Sequence, residues 1–191
     1  MSKIFNFSAG PAALPAEVMQ RVQKEFLNCN QSGLSVVEMS HRSDEFQDIA
    51  RRAEKDLREL LSVPESHEIL FLQGGATTQF AMAPINLLRN KNTADYFHTG
   101  YWSGKAIKEA KRFCEVNLAV NGEPSNFTDI PAPQDWHLNT DAAYVHYTSN
   151  ETIGGVEFHE IPEIGGVPLI ADMSSNLLTR PIDVSRFALI Y

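Results

Sequence analysis

The chain has 191 residues, 43% hydrophobic and 21% charged, and 16 basic against 24 acidic side chains leave a formal charge of −8. That length can bury a sizeable core, and the steady recurrence of Leu, Ile, Val and Phe without long runs of like charge excludes a disordered chain. A diffuse negative field argues against nucleic acid as the main partner, but not against an anionic small molecule held in a local pocket of opposite sign.

The opening residues Met1–Ser8 contain no apolar run long enough for a signal peptide. No stretch of about 18 apolar residues is present to span a bilayer. Cys29 and Cys114 stand alone and far apart, which fits a reducing compartment and no disulfide framework. These features lead to an expectation of a cytoplasmic protein with no membrane and no nucleic-acid partner.

In chain order, residues 15–28 are predicted as a helix. Pro15 suits a first helical position, and Val18, Val22 and Phe26 recur on one face. Residues 43–61 are predicted as a second helix, with Ser43 as N-cap and Asp44 and Glu45 in its first turn. Its apolar stripe runs through Phe46, Ile49, Ala50, Ala53, Leu57, Leu60 and Leu61, and Pro64 follows its end. Short apolar runs then alternate with helical stretches. Strands are predicted at Glu68–Leu72, Thr93–His98, Val116–Val120, Ala143–Tyr147, Val167–Ala171 and Phe187–Tyr191. Helices are predicted from Gly75 to Leu88 and over about 103–113, and residues 121–137 are predicted as a surface connection. The alternation implies an α/β fold with a mostly parallel sheet. No repeat or linker is visible, so residues 1–191 are expected to form a single domain. The terminal Phe-Ala-Leu-Ile-Tyr run, ending inside a predicted sheet, suggests that this domain is incomplete.

Several stretches carry potential chemistry. Leu72–Thr78 runs into Gly74-Gly75 and a helix start bearing small hydroxylic residues. Free N–H groups there can bind phosphate, although the same stretch also reads as a tight turn with threonine caps. It is neither a P-loop nor a Gly-x-Gly-x-x-Gly fingerprint. Asp172 follows a buried apolar run and is expected at the strand end where ligands of open α/β sheets gather. A carboxylate there needs a cationic or N–H partner, and that partner can equally be structural. Trp102, after Gly100, can stack on a flat ring or simply pack in the core. His41-Arg42, just before a helix, can meet a carboxylate or phosphate, or lie on the surface in an ion pair. The other histidines show no metal-ligand spacing, and Gly-x-Ser-x-Gly is absent. No metal and no serine-hydrolase chemistry are expected.

Taken together and in order, six segments resemble the phosphoserine aminotransferases, a class V, fold-type I pyridoxal-phosphate family. They are Phe5–Pro15, Ser35–Phe46, Gly74–Phe80, Asp95–Ala110, Tyr144–Gly155 and Ala171–Tyr191. The resemblance covers the whole chain. It implies the partial large domain of a fold-type I transferase, with pyridoxal 5'-phosphate as cofactor. Ala76 and Thr77 would hold the cofactor phosphate, Trp102 would stack on the ring, Thr152 would bond near the phenolic oxygen or phosphate, and Asp172 would pair with the ring nitrogen. Arg42 with His41 would receive a substrate anion across the interface of a homodimer. Some relatives carry Arg where Thr77 stands, so any contact from this position is expected through the backbone. The implied reaction exchanges an amino group between L-glutamate and 3-phosphohydroxypyruvate, in serine biosynthesis, with pyridoxine biosynthesis as a further expected role. In the family the Schiff-base lysine falls past the position of Tyr191, so the chain as it stands is expected to be inactive. The alternatives are another class V enzyme, of the alanine–glyoxylate aminotransferase or desulfurase type, and a non-catalytic phosphate-ligand fragment.

Overall fold

A computed structural model of the chain describes residues 4–8 and 10–191. Met1–Lys3, read above for a leader, and Ala9 of the opening family segment lie outside the described residues. The chain divides into two compact units, Met1–Ile69 and Leu70–Tyr191.

In the first unit, helix α1 spans Ala16–Glu25 and helix α2 spans Asp44–Leu60. Pro15 stands one place earlier than expected, as the extended residue before α1, and the helix gives way at Phe26 rather than reaching 28. The start of α2 forms as its sequence dictates. Ser43 Oγ accepts from Phe46 N at 3.3 Å, and Asp44 and Glu45 occupy the positive end of the helix dipole. At the other end Arg58 donates to the carbonyls of Pro64 and His67, tying down the chain that leaves the helix. The apolar faces of both helices border a groove of about 450 Å³, with Val18, Val22 and Phe26 from α1 and Ile49 and Ala53 from α2. Neither helix has a fully buried residue.

The second unit opens with helix α3, Gly75–Leu87, followed by strand β1, Thr93–His98, and helix α4, Tyr101–Ala110. Strands β2 (Glu115–Asn121), β3 (Val145–Thr148), β6 (Leu169–Asp172) and β7 (Leu189–Ile190) complete a five-stranded sheet in the order β2-β1-β3-β6-β7. Every pairing in it is parallel. A small antiparallel hairpin, β4 (Asn150–Glu151) with β5 (Val156–Glu157), follows β3 and was not expected from sequence.

A parallel sheet needs cover on both faces, because its strands carry apolar residues on each side. Tyr96, Tyr144 and Ile170 face Phe80 and Ala83 of α3 and Ala106, Ile107 and Ala110 of α4. On the opposite face Phe97, Val145, Tyr147, Leu169 and Ala171 pack with Phe158, Met173 and Phe187. The segment 121–137 is therefore not wholly a surface connection. Trp136 lies 4.9 Å from the Phe97 ring and donates its indole N–H to Pro131 O, closing part of this second face.

The run Glu68–Leu72 does not form the expected strand. It takes no regular structure and has no ladder partner among the described residues, and Leu70, Phe71 and Leu72 are 70%, 61% and 58% exposed. Strand propensity alone does not hold a strand that has no neighbour to hydrogen-bond. The other strands appear within two residues of their predicted bounds.

Phe97 is fully buried between three aromatic neighbours, Trp136, Tyr147 and Phe158. Phe97→Ala is expected to cost about 3–5 kcal/mol, read as a lowered urea midpoint with an unchanged slope.

Candidate active site

The strand order fixes where a ligand can sit. From β1 the chain crosses through α4 to β2 on one side, whereas from β3 it passes to β6 on the other side. The two crossovers diverge, leaving a crevice at the C-terminal ends of β1 and β3. Residues Thr99–Ser103 after β1 and Ser149–Thr152 after β3 line that crevice, and Asp172 closes the neighbouring strand β6.

Asp172 is buried, and both donors to its carboxylate reach the same oxygen. Ser174 N and Ser174 Oγ lie 3.0 and 2.7 Å from Oδ1, while Oδ2 has no donor among the described residues. Burial raises the Asp172 pKa above its ordinary 3.8. The Ser174 hydrogen bonds oppose this, and the nearby charge of Glu151 adds to it. The main chain of Asp172 is held firmly, with its carbonyl accepting from Ser149 N and Ser149 Oγ at 2.9 and 3.0 Å. No cation pairs with the carboxylate among the described residues.

Trp102 sits in the first turn of α4, which begins at Tyr101, two residues before the predicted helix start. Its indole N–H donates to Thr152 Oγ1 at 2.9 Å, so two of the residues expected to hold a ligand touch directly. Tyr101 packs edge-on against Trp102, and Lys105 Nζ lies 5.4 Å from the Trp102 ring. Two further hydroxyls at this edge, Thr99 Oγ1 and Thr148 Oγ1, are buried and have no partner among the described residues. Thr148 pairs in register with Asp172.

Ala76 and Thr77 lie in the first turn of α3, where N–H groups have no acceptor within the helix. The turn before them requires glycine. Gly74 has φ of 103°, and a Cβ there would fall 2.2 Å from Thr78 Oγ1. Thr78 Oγ1 instead donates to Gly74 O at 2.9 Å. No hydrogen bond or ring contact joins Ala76 or Thr77 to Trp102, Thr152 or Asp172 among the described residues. His41 and Arg42 belong to the other unit, in the turn leading into α2. Both are exposed, and neither side chain has a partner among the described residues.

Sequence reasoning missed Glu151 and Ser103. Ser103 Oγ accepts from Thr99 N and Gly100 N at 3.0 Å each, and Glu151 accepts from the Trp102 and Ser103 amides. A serine three residues after a glycine is a usable helix-start signal for the first. Nothing local marks Glu151, whose contacts lie 48 and 49 residues away.

A profile of the aminotransferase class-V family matches residues 4–190. The chain belongs to that family. It is 59% identical to a phosphoserine aminotransferase of Pseudomonas putida and 57% identical to one of Azotobacter vinelandii; each alignment covers all of this chain and 53% of the relative. It superposes with a TM-score of 0.94 on the phosphoserine aminotransferase of Bacillus circulans subsp. alkalophilus, at 47% identity over 98% of this chain and 52% of that one. A phosphoserine aminotransferase of Trichomonas vaginalis with pyridoxal phosphate bound matches with a TM-score of 0.93 and 44% identity, over 98% of this chain and 53% of that one. The chain thus spans about half the length of the curated relatives it matches. As a class-V family member it has the expected fold, a mostly parallel sheet with flanking helices.

The environment of Asp172 sets a pH dependence. A carboxylate whose folded pKa is raised contributes stability below its unfolded value and loses it as pH rises through the folded value. In protein freed of cofactor, Asp172→Asn is therefore expected to gain on the wild type as pH rises from about 3.8 through the elevated Asp172 value. Urea midpoints of the two proteins across this range check it; parallel profiles would mean that Asp172 titrates like an exposed carboxylate.

Proposed function

We propose that this chain binds pyridoxal 5'-phosphate and serves a phosphoserine aminotransferase that moves an amino group between L-glutamate and 3-phosphohydroxypyruvate. The observation that carries the reading is Asp172, a buried carboxylate with one oxygen unpaired at the sheet's crevice. The names of the relatives, and the bound cofactor of the Trichomonas vaginalis protein, support it.

The residues present fit such a cofactor. A protonated ring nitrogen supplies the donor that Asp172 Oδ2 lacks, and the unpartnered hydroxyls at the same edge suit a polar ligand. When bound, pyridoxal phosphate supplies an electron sink for the carbon that gains or loses a proton. Asp172 keeps the proton on the ring nitrogen, and its burial strengthens that ion pair. Trp102 offers an aromatic face to the ring, and Thr152, which accepts the indole N–H, has its own hydroxyl proton free for the phenolic oxygen or the phosphate side. The amides of Ala76 and Thr77, at the positive end of α3, would hold the phosphate without adding a charged side chain. Arg42, with His41, receives the anionic group of a substrate. The same reading makes the protein a cytoplasmic homodimer of serine biosynthesis, with a second role in pyridoxine biosynthesis.

Addition of pyridoxal phosphate to the intact protein is expected to give a visible absorption band that does not dialyse away. Asp172→Ala is expected to lower turnover at least about a hundredfold. Near-wild-type turnover of that variant would overturn the assignment.

Arg42→Ala removes a charge-assisted pair of roughly 1.5–3 kcal/mol, so the KM for the phosphorylated substrate is expected to rise about tenfold or more. Cofactor affinity is expected to hold. Unchanged substrate kinetics would make Arg42 a surface residue.

A further inference from the structure

Glu151 is a fully buried carboxylate with no cation against it among the described residues. Its charge is met by the start of α4. Oε2 accepts from Trp102 N at 2.8 Å and Oε1 from Ser103 N at 2.9 Å, so each oxygen takes one free amide of the helix's first turn. The residue at the N-cap is Gly100, which has no side chain to do this. Its missing Cβ leaves the room that Glu151 uses, since a Cβ there would lie 2.7 Å from Glu151 Cδ. Ser103 completes the cap from within the helix, its hydroxyl taking the amides of Thr99 and Gly100.

The consequence reaches the crevice. Glu151 ends the short strand β4, and Thr152 is the next residue; Trp102 is the helix residue whose amide Glu151 binds. The same pair is closed a second time by the Trp102 indole on Thr152 Oγ1. We propose that Glu151 is the positioning residue of the cofactor platform: its carboxylate clamps the first turn of α4 to the β4–β5 hairpin and so sets Trp102 and Thr152 in one geometry. This rests on the pyridoxal-phosphate reading, and Glu151 acts through its two neighbours rather than by touching the ligand.

The test uses the intact holoenzyme and the same protein freed of cofactor. The backbone of Gly100, with φ of 166° and ψ of −153°, is extended and open to any residue. Glu151→Ala vacates the space beside it, so Gly100→Asp added to Glu151→Ala returns an oxygen to the same amides from the N-cap itself.

In cofactor-free protein, the Trp102 indole N–H resonance is expected to shift in Glu151→Ala and return in the double variant. The Trp136 indole, bonded to Pro131 O, stays in place as the internal control. Glu151→Ala is expected to raise the Kd for pyridoxal phosphate about tenfold, but only about twofold when Trp102 is already alanine, because coupled residues are non-additive. Movement of both indoles together, an unmoved Trp102, or an additive effect on Kd would overturn the proposal. If the wild type binds no pyridoxal phosphate while the Trp102 indole alone still follows Glu151, the clamp stands as a structural fact and the cofactor reading falls.

Discussion

The reversal of strand order between β1 and β3 is the constraint on which the site depends. A parallel sheet forces each connection to cross a face and return to the same edge, so the segments after the strands collect at the C-terminal ends. Where two such connections part, no helix fills the gap. Gly100–Ser103 and Ser149–Thr152 meet there because β1 and β3 are neighbours, although about fifty residues separate them in the chain. The chemistry of the site thus follows from strand order, and the local sequences only decorate it.

Two buried carboxylates share this edge and are treated in opposite ways. Glu151 is satisfied by backbone amides at a helix start, which compensates its burial without another side chain. Asp172 is given two donors on one oxygen and none on the other, and the charge of Glu151 nearby makes ionisation harder still. An acid kept this way favours any ligand that brings a positive N–H. Behind it the polar side chains are held uncharged. Burial pushes the His146 imidazole down to about 3 and the Tyr191 phenol up, and the two bond each other at 2.7 Å. Neither of these two side chains brings a formal charge to compete for that ligand.

Much of this was legible in the sequence, for identifiable reasons. Asp172 could be placed because an apolar run of strand length ends on it, and strand direction then puts it at the ligand edge. Gly74-Gly75 marked a helix start because only glycine tolerates the left-handed turn beneath Thr78. The failures are equally physical. Leu70–Leu72 has the composition of a strand, yet a strand exists only with a partner, and periodicity does not report partners. The β4–β5 hairpin is two residues on each side, too short to show an alternation. Glu151 looks like any acidic residue after a strand, because its role depends on an amide 49 residues away. Propensity is local, whereas satisfaction of buried polar groups is not.

The same distinction bears on how a chain of net charge −8 would receive the phosphate of the proposed cofactor. A lysine or arginine buried directly beside Glu151 and Asp172 would have to be desolvated, and it would pair with them before any ligand arrived. Helix starts avoid both problems. Their amides carry partial positive charge fixed in direction, need no counter-ion, and cannot swing away to a neighbouring carboxylate. One helix start, that of α4, is already committed to Glu151, while the first-turn amides of α3 have no such carboxylate among the described residues. On the proposed reading, α3 with Ala76 and Thr77 would be the helix start that receives the phosphate. A neutral threonine at position 77 fits that reading, in which the backbone would supply the contact.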